Sequence, residues 1–150
     1  MANTSAICSS FKQELLQGKH NFSSSGGDTF KIALYDSDAT LGASTTDYST
    51  SEEITNTSGT AYTAGGETLT RTGVGLTGTT AFTDFGDVTY TSASFTANAA
   101  LIYNTTTGTS SGTTDAVCAI AFGGDKTASN GTFKIEFPAN DATAAIIRLT

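Results

Sequence analysis

The chain has 150 residues, a formal net charge of −7, and only 14% charged residues. That length is one domain, able to bury about 70% of the surface its unfolded chain exposes without help from a metal or a disulfide. The acidic balance argues against nucleic acid and anionic membranes as partners, because both need clustered Lys and Arg, and no apolar run approaches the roughly 20 residues that span a bilayer.

Threonine makes up about a fifth of the chain, and Ser, Gly and Ala fill much of the remainder. This uncharged, β-branched alphabet suits strands and tight turns, and the sequence lacks the long Leu, Glu and Lys periodicity of a helical protein. Cys8 and Cys118 are too few for a disulfide framework and too far apart for a zinc pattern, so both read as small hydrophobes. The N-terminus lacks the charged region and apolar core of a secretory signal, which leads to the expectation of a protein made in a cytoplasm.

The first element is a short helix from Ser9 or Ser10 to Gly18. Either serine can cap it, Phe11, Leu15 and Leu16 fall on one side, and Gly18 can end it. Two turns cannot stand alone in water, so this helix must pack on its own domain or clasp a neighbour. Asn21 to Asp28 reads as a flexible turn, which makes residues 1–28 an N-terminal arm and 29–150 the main domain. Phe30, Ile32 and Leu34 then alternate with Lys31 in the first strand, 29–35.

Residues 36–66 form a long polar excursion in which 52–55 is the only strand-like piece. An excursion of this length is seldom structureless unless it carries contacts, and its Tyr48 and Tyr62 among Ser, Thr and Gly are expected to form a contact surface. Segment 67–76 alternates again, with Gly73 and Gly75 suggesting a bulge; 80–85 and 87–90 read as two short strands joined at Gly86. Residues 95–104 contain no charge and read as the central strand. A Thr, Ser and Gly loop at 105–114 and a second apolar segment, 115–122, follow.

The segment 123–131, ending in Asn130-Gly131, reads as the last turn. Phe133, Ile135 and Phe137 then alternate with Thr132, Lys134 and Glu136 along a strand, and 144–149 closes the chain. About eight or nine strands at this spacing predict an all-β fold, a single β-sandwich or jelly-roll-like domain with one short N-terminal helix.

Motifs for chemistry are sparse. His20, the single histidine, has no second histidine or cysteine beside it and reads as a surface or packing residue. The acidic pairs Asp36/Asp38 and Asp84/Asp87 do not continue into a calcium loop. Whether two of Glu52, Glu53, Asp84 and Asp87 face one another across a cleft, as a glycosidase requires, cannot be read from spacing. In Gly123-Gly-Asp-Lys-Thr127 the glycine that a phosphate loop needs before its Lys is replaced by Asp125. No catalytic residue, metal or cofactor is expected.

Nearly the full length of the chain, including Ser10-Phe-Lys-Gln-Glu-Leu-Leu-Gln-Gly-Lys-His-Asn-Phe22, Phe30-Lys-Ile-Ala-Leu-Tyr35, Ala100-Leu-Ile-Tyr-Asn104 and Phe122-Gly-Gly-Asp-Lys126, resembles a family of small proteins encoded among the virion genes of tailed bacteriophages, including those of marine bacteria and cyanobacteria. The resemblance implies a virion component. Small phage β domains that cement capsids commonly act as trimers at local three-fold points, and the expected function is a capsid decoration protein on the outer shell that forms a homotrimer. Its expected partners are the major capsid protein and its own copies. Phe11, Leu15, Leu16 and Phe22 of the arm, with Tyr48 and Tyr62, are the expected contact residues. The alternative is a tail or baseplate adhesin whose loops 44–66 and 104–114 bind host-surface glycans.

Overall fold

A computed structural model describes residues 2–55, 61–106 and 113–150. Within these, strands dominate and build two antiparallel sheets, as an all-β sandwich-like fold requires. The elements in chain order are β1 (Ala6–Ile7), α1 (Ser9–Leu16), β2 (Phe30–Tyr35), β3 (Glu67–Thr68), β4 (Arg71–Thr77), β5 (Thr80–Phe85), β6 (Val88–Asn104), β7 (Ala116–Ile135) and β8 (Ile147–Leu149). The larger sheet has the order β1-β7-β6-β2-β3 and the smaller β4-β5-β8. No helix of the described residues is long and apolar enough to cross a membrane.

The uncharged stretch 95–104 is central: it is the second half of β6, flanked by β2 and β7. From Ala99 to Asn104 every residue of β6 is buried, because the strand has neighbours on both edges and side chains packed on both faces. The register Ile32↔Ile102 and Ile102↔Cys118 brings apolar residues of three strands side by side. Phe30 stacks on Phe22 at 4.5 Å between centroids and meets Phe85 of β5 at 5.6 Å. These rings join the two sheets.

Two expected breaks are absent. The piece 87–90 and the central strand are one continuous β6, and the turn expected at 123–131 lies inside β7. The pairing Ala99↔Ala121 gives way to Ala97↔Lys126, so the extra residues bulge out while both strands continue to Val88↔Ile135. Glycine and asparagine supply the positive φ that a bulge needs as readily as they supply a turn: Gly123, Gly124 and Asn130 all have φ above zero. The alternation of Phe133, Ile135 and Phe137 holds, with Lys134 and Glu136 exposed. The strand expected at 67–76 divides at Leu69-Thr70, where the chain leaves the large sheet for the small one, and the expected bulge falls between Arg71 and Val74.

The N-terminal arm is woven into the domain. Ala6 and Ile7 extend the large sheet along β7, and Thr4 donates its N–H to Leu41 O at 2.9 Å. Helix α1 starts one residue before the expected serine caps: Cys8 is its N-cap, with no side-chain bond, and its N–H goes to Val117 O. The other end follows expectation. Gly18 at φ +72° donates to Leu15 O and Lys19 to Glu14 O, the paired bonds by which a left-handed residue closes a helix.

The excursion 36–66 carries contacts where it is described. Ala39, Leu41, Ile54 and Tyr62 join the core, and Ile54 N–H reaches Leu34 O while Tyr48 N–H reaches Thr114 O. Glu53 anchors it: Tyr48 Oη donates to its Oε2 at 2.7 Å, and Tyr62 Oη and Gly65 N–H donate to its Oε1 at 2.6 and 2.7 Å. A buried carboxylate with three donors is a satisfied one. The sequon at Asn56 and the tip of the loop expected at 105–114, residues 107–112, lie outside the described residues.

Candidate docking groove

The small sheet has an apolar face set by its register. Val74 pairs with Thr83 and Leu76 with Ala81, and across the next ladder Ala81 pairs with Leu149 and Thr83 with Ile147. Cross-strand partners point to the same side, so these six side chains share one face. Its Thr83 and Ile147 end is buried. Toward the β4–β5 turn the face runs past the core and opens.

Helix α1 and the segment after it form the opposite wall. Phe11, Leu15, Gly18, His20 and Phe22 line a groove of about 480 Å³ against Val74, Ala81, Phe82, Thr83, Ile147 and Leu149. Of the lining residues Val74 and Leu149 stand largely in water, at 64 and 57% exposure, as do Leu76 on the same sheet face and Leu16 on α1 outside the lining, at 71 and 92%. Among the described residues no Asp or Glu lines the groove; Lys12, Glu14 and Lys19 adjoin its lining residues in sequence, and Arg148, between Ile147 and Leu149, falls on the other face of β8.

The wall owes its shape to His20. Its ring is fully buried, 4.9 Å from Phe11, with Nε2 at 2.7 Å from Glu14 Oε2 and Nδ1 at 3.0 Å from Asn104 Nδ2. Asn104 Nδ2 also donates to Asp28 Oδ2 at 2.8 Å. With Asn104 as donor, His20 accepts at Nδ1 and donates at Nε2, the neutral tautomer that satisfies both neighbours. The histidine is therefore a packing residue that ties α1 to the end of the central strand.

The expected contact residues divide into three groups. Phe11 and Phe22 are buried in the chain's own core beneath the groove, Leu15 is half-buried in its wall, and Leu16 is exposed. The helix thus packs on its own domain through Phe11 and Leu15 and leaves Leu16 in solvent. Tyr48 and Tyr62 meet at Glu53 instead of facing solvent together. Tyr62 is buried, and Tyr48 stacks on Tyr103 at 4.4 Å with nearly parallel rings. A buried phenol needs a hydrogen-bond partner, and Glu53 supplies one to each. Burial, followed by the bond to Glu53, raises both phenol pKa values well above the ordinary range.

Val74, Leu76 and Leu149 were not among the expected contacts. The available signal was alternation: Val74 and Leu76 interleave with Gly73 and Gly75 in a run from Thr72 to Thr83 that holds no charge.

The carboxylates fall into structural and surface roles. Asp84 is fully buried and accepts from Phe85 N–H at 2.8 Å and Ile146 N–H at 3.1 Å. Desolvation raises its pKa against the lowering effect of those two bonds. Asp87 is exposed, its pKa lowered by Phe137 N–H and by Lys134, and its charge adds to the rise of Asp84. Asp36, Asp38 and Glu52 hold carboxylate oxygens within 4.8 Å of one another at the surface, and Asp36 Oδ1 is engaged by Asp38 N–H. A polar crevice of about 600 Å³ beside them is lined by hydroxyls including Thr40, Ser44 and Ser49. Cys8 and Cys118 are buried free thiols, with burial pushing Cys8 up to about 11 and Cys118 higher. No protein-family model, curated protein or solved structure matches this chain.

Proposed function

We propose that this chain is a bacteriophage capsid decoration protein that binds the outer shell through the groove between α1 and the small sheet. The observation that carries the reading is the open apolar face of that sheet. The core is already complete with other residues, yet Val74, Leu76 and Leu149 remain in water along one face, with Leu16 on the helix opposite. Single exposed aliphatics are ordinary; a contiguous row beside a groove marks an interaction surface.

Covering that row stabilises a complex by about 25 cal/mol per Å² of apolar area, before the cost of association. Lys12 and Lys19, which adjoin lining residues of α1 and of the segment after it in sequence, favour an apolar segment of the shell protein with acidic flanks. The resemblance to tailed-phage virion proteins supplies the particle. Cosedimentation with shells of the phage that encodes the chain tests the reading: saturable binding is expected, and free protein at every concentration would overturn it.

A second reading, a tail adhesin for host glycans, draws on the polar crevice at Thr40, Ser44 and Ser49, whose hydroxyls and neighbouring carboxylates suit sugar hydroxyl groups. Retention of the chain on host-surface polysaccharide would favour it.

A further inference from the structure

The β4 edge of the small sheet is unprotected where it is most apolar. Arg71 is tied to Ser23 O and Asp28 O, and Ser24 lies 3.4 Å from where a Cβ at Gly73 would stand, so the 21–28 segment covers the start of the strand. Among the described residues, Val74 to Thr77 pair only with β5. Edge strands in soluble proteins are usually guarded by Lys, Pro, a bulge or a covering loop. Here the bulge and the loop both stop at Gly73, and residues 72–83 contain neither a charge nor a proline.

We propose that this edge pairs with the same edge of a second copy, antiparallel, about a two-fold axis through Gly75. Backbone alternation specifies the register. Thr77 and Thr80 flank the two-residue turn and so exchange both of their bonds. Bonded and non-bonded pairs then alternate, which leaves Gly75 bonded to Phe82 and turns the N–H and C=O of Val74 and Leu76 outward. With Gly75 opposite its own copy, Val74 of each chain lies opposite Leu76 of the other. Both pairs are then bonded pairs, with about four new backbone bonds.

The side chains fit this register as the backbone does. Each cross-strand pair is aliphatic on aliphatic, the arrangement that stabilises a ladder, and the residue on the axis has no side chain. No like charges meet in a molecule of net charge −7. A two-fold contact requires that a patch complement itself, and Val-Gly-Leu read antiparallel against itself does so. The result is one six-stranded sheet, β8-β5-β4 continued by the partner's β4-β5-β8. It would bring the two apolar grooves onto one surface.

Four residues of edge make a small contact, of the weak class below about 1,200 Å². On a lattice, neighbours held at millimolar effective concentration would pair regardless. Only this use rests on the decoration reading; the pairing itself does not. A two-fold pair also differs from the trimer expected of small capsid-cementing β domains, so mass alone separates them.

The test is sedimentation equilibrium of the full chain from about 1 μM to 1 mM, together with amide exchange at both ends of that range. A monomer–dimer equilibrium is expected, with the amides of Val74 and Leu76 protected at high concentration and exchanging freely at low. Leu76→Lys should raise the dimer dissociation constant at least tenfold without changing the circular dichroism. A chain that stays monomeric throughout, any assembly other than a dimer, or protection at Val74 and Leu76 that ignores concentration would overturn the proposal. Should the chain pair but fail to bind shells, the decoration reading falls and the pairing stands.

Discussion

Tyr62 donates its hydroxyl hydrogen to Glu53 at 2.6 Å while the same oxygen accepts the N–H of Leu34, in strand β2, at 2.9 Å. That phenol joins the bond from Ile54 N–H to Leu34 O and the bond from Tyr35 Oη to Ser49 O in pinning the long excursion between β2 and β3 to the large sheet. Removing Glu53 would orphan the Tyr62, Tyr48 and Gly65 donors together. Glu53→Ala should therefore cost about 3 kcal/mol or more in urea unfolding, and Glu53→Gln, which keeps an acceptor, about 1–2 kcal/mol. A cost for Glu53→Ala below about 1 kcal/mol would contradict the role given to this carboxylate.

All five tyrosines have pKa values raised, chiefly by burial, with Tyr103 at about 12 and the other four higher. A group whose folded pKa exceeds its unfolded value stabilises fully below the unfolded value, here 10.0, and that stability is lost as pH rises toward the folded one. Absorbance at about 295 nm should accordingly show no independent phenol titrating near its ordinary value. It should rise steeply at higher pH, together with the loss of circular dichroism. A gradual rise centred near pH 10 in the folded protein would contradict this.

Asp84 carries the same sign in the acid range. Its pKa lies above the ordinary 3.8 because desolvation outweighs its two backbone bonds. Its contribution to stability is thus greatest below that value and declines as pH rises through the raised one. Asn at this position has one acceptor oxygen for two N–H groups and should cost about 1–3 kcal/mol. The difference between wild type and Asp84→Asn should shrink as pH rises above about 4. A difference that grows over that range would contradict the direction of the shift.

Leu16 and Leu149 are the residues to alter for docking, since both are mostly exposed. Leu16→Ser with Leu149→Asp should change stability by no more than about 0.5 kcal/mol each while weakening shell binding at least tenfold. Leu15 is a poorer choice, because it is half-buried against the core, and its loss would confuse docking with folding. Undiminished binding by the double variant would remove the groove as the docking surface.

Strand β2 and the central position of 95–104 were legible because their apolar runs report burial directly, although Ala33 and Tyr35 are buried as well, so β2 is covered on both faces where alternation with Lys31 suggested one. The continuity of β7 was not. Gly123, Gly124 and Asn130 look the same in sequence whether their positive φ serves a turn or a bulge, and the choice is made by β6, which keeps pairing opposite them. The inward turn of Tyr48 and Tyr62 was hidden for a related reason. It depends on Glu53, which reads as an ordinary surface acid until the excursion folds back on β2. The open face at Val74 and Leu76 showed only as a charge-free alternation, a pattern common to buried and exposed strands alike.

The most direct test of the decoration reading is the copy number of this chain in purified virions, measured by quantitative mass spectrometry against the major capsid protein. A near-stoichiometric ratio is the predicted result, as expected of a protein that repeats over the shell lattice. A copy number small enough to fit a tail or a single vertex would contradict it and turn attention to the polar crevice and its glycans.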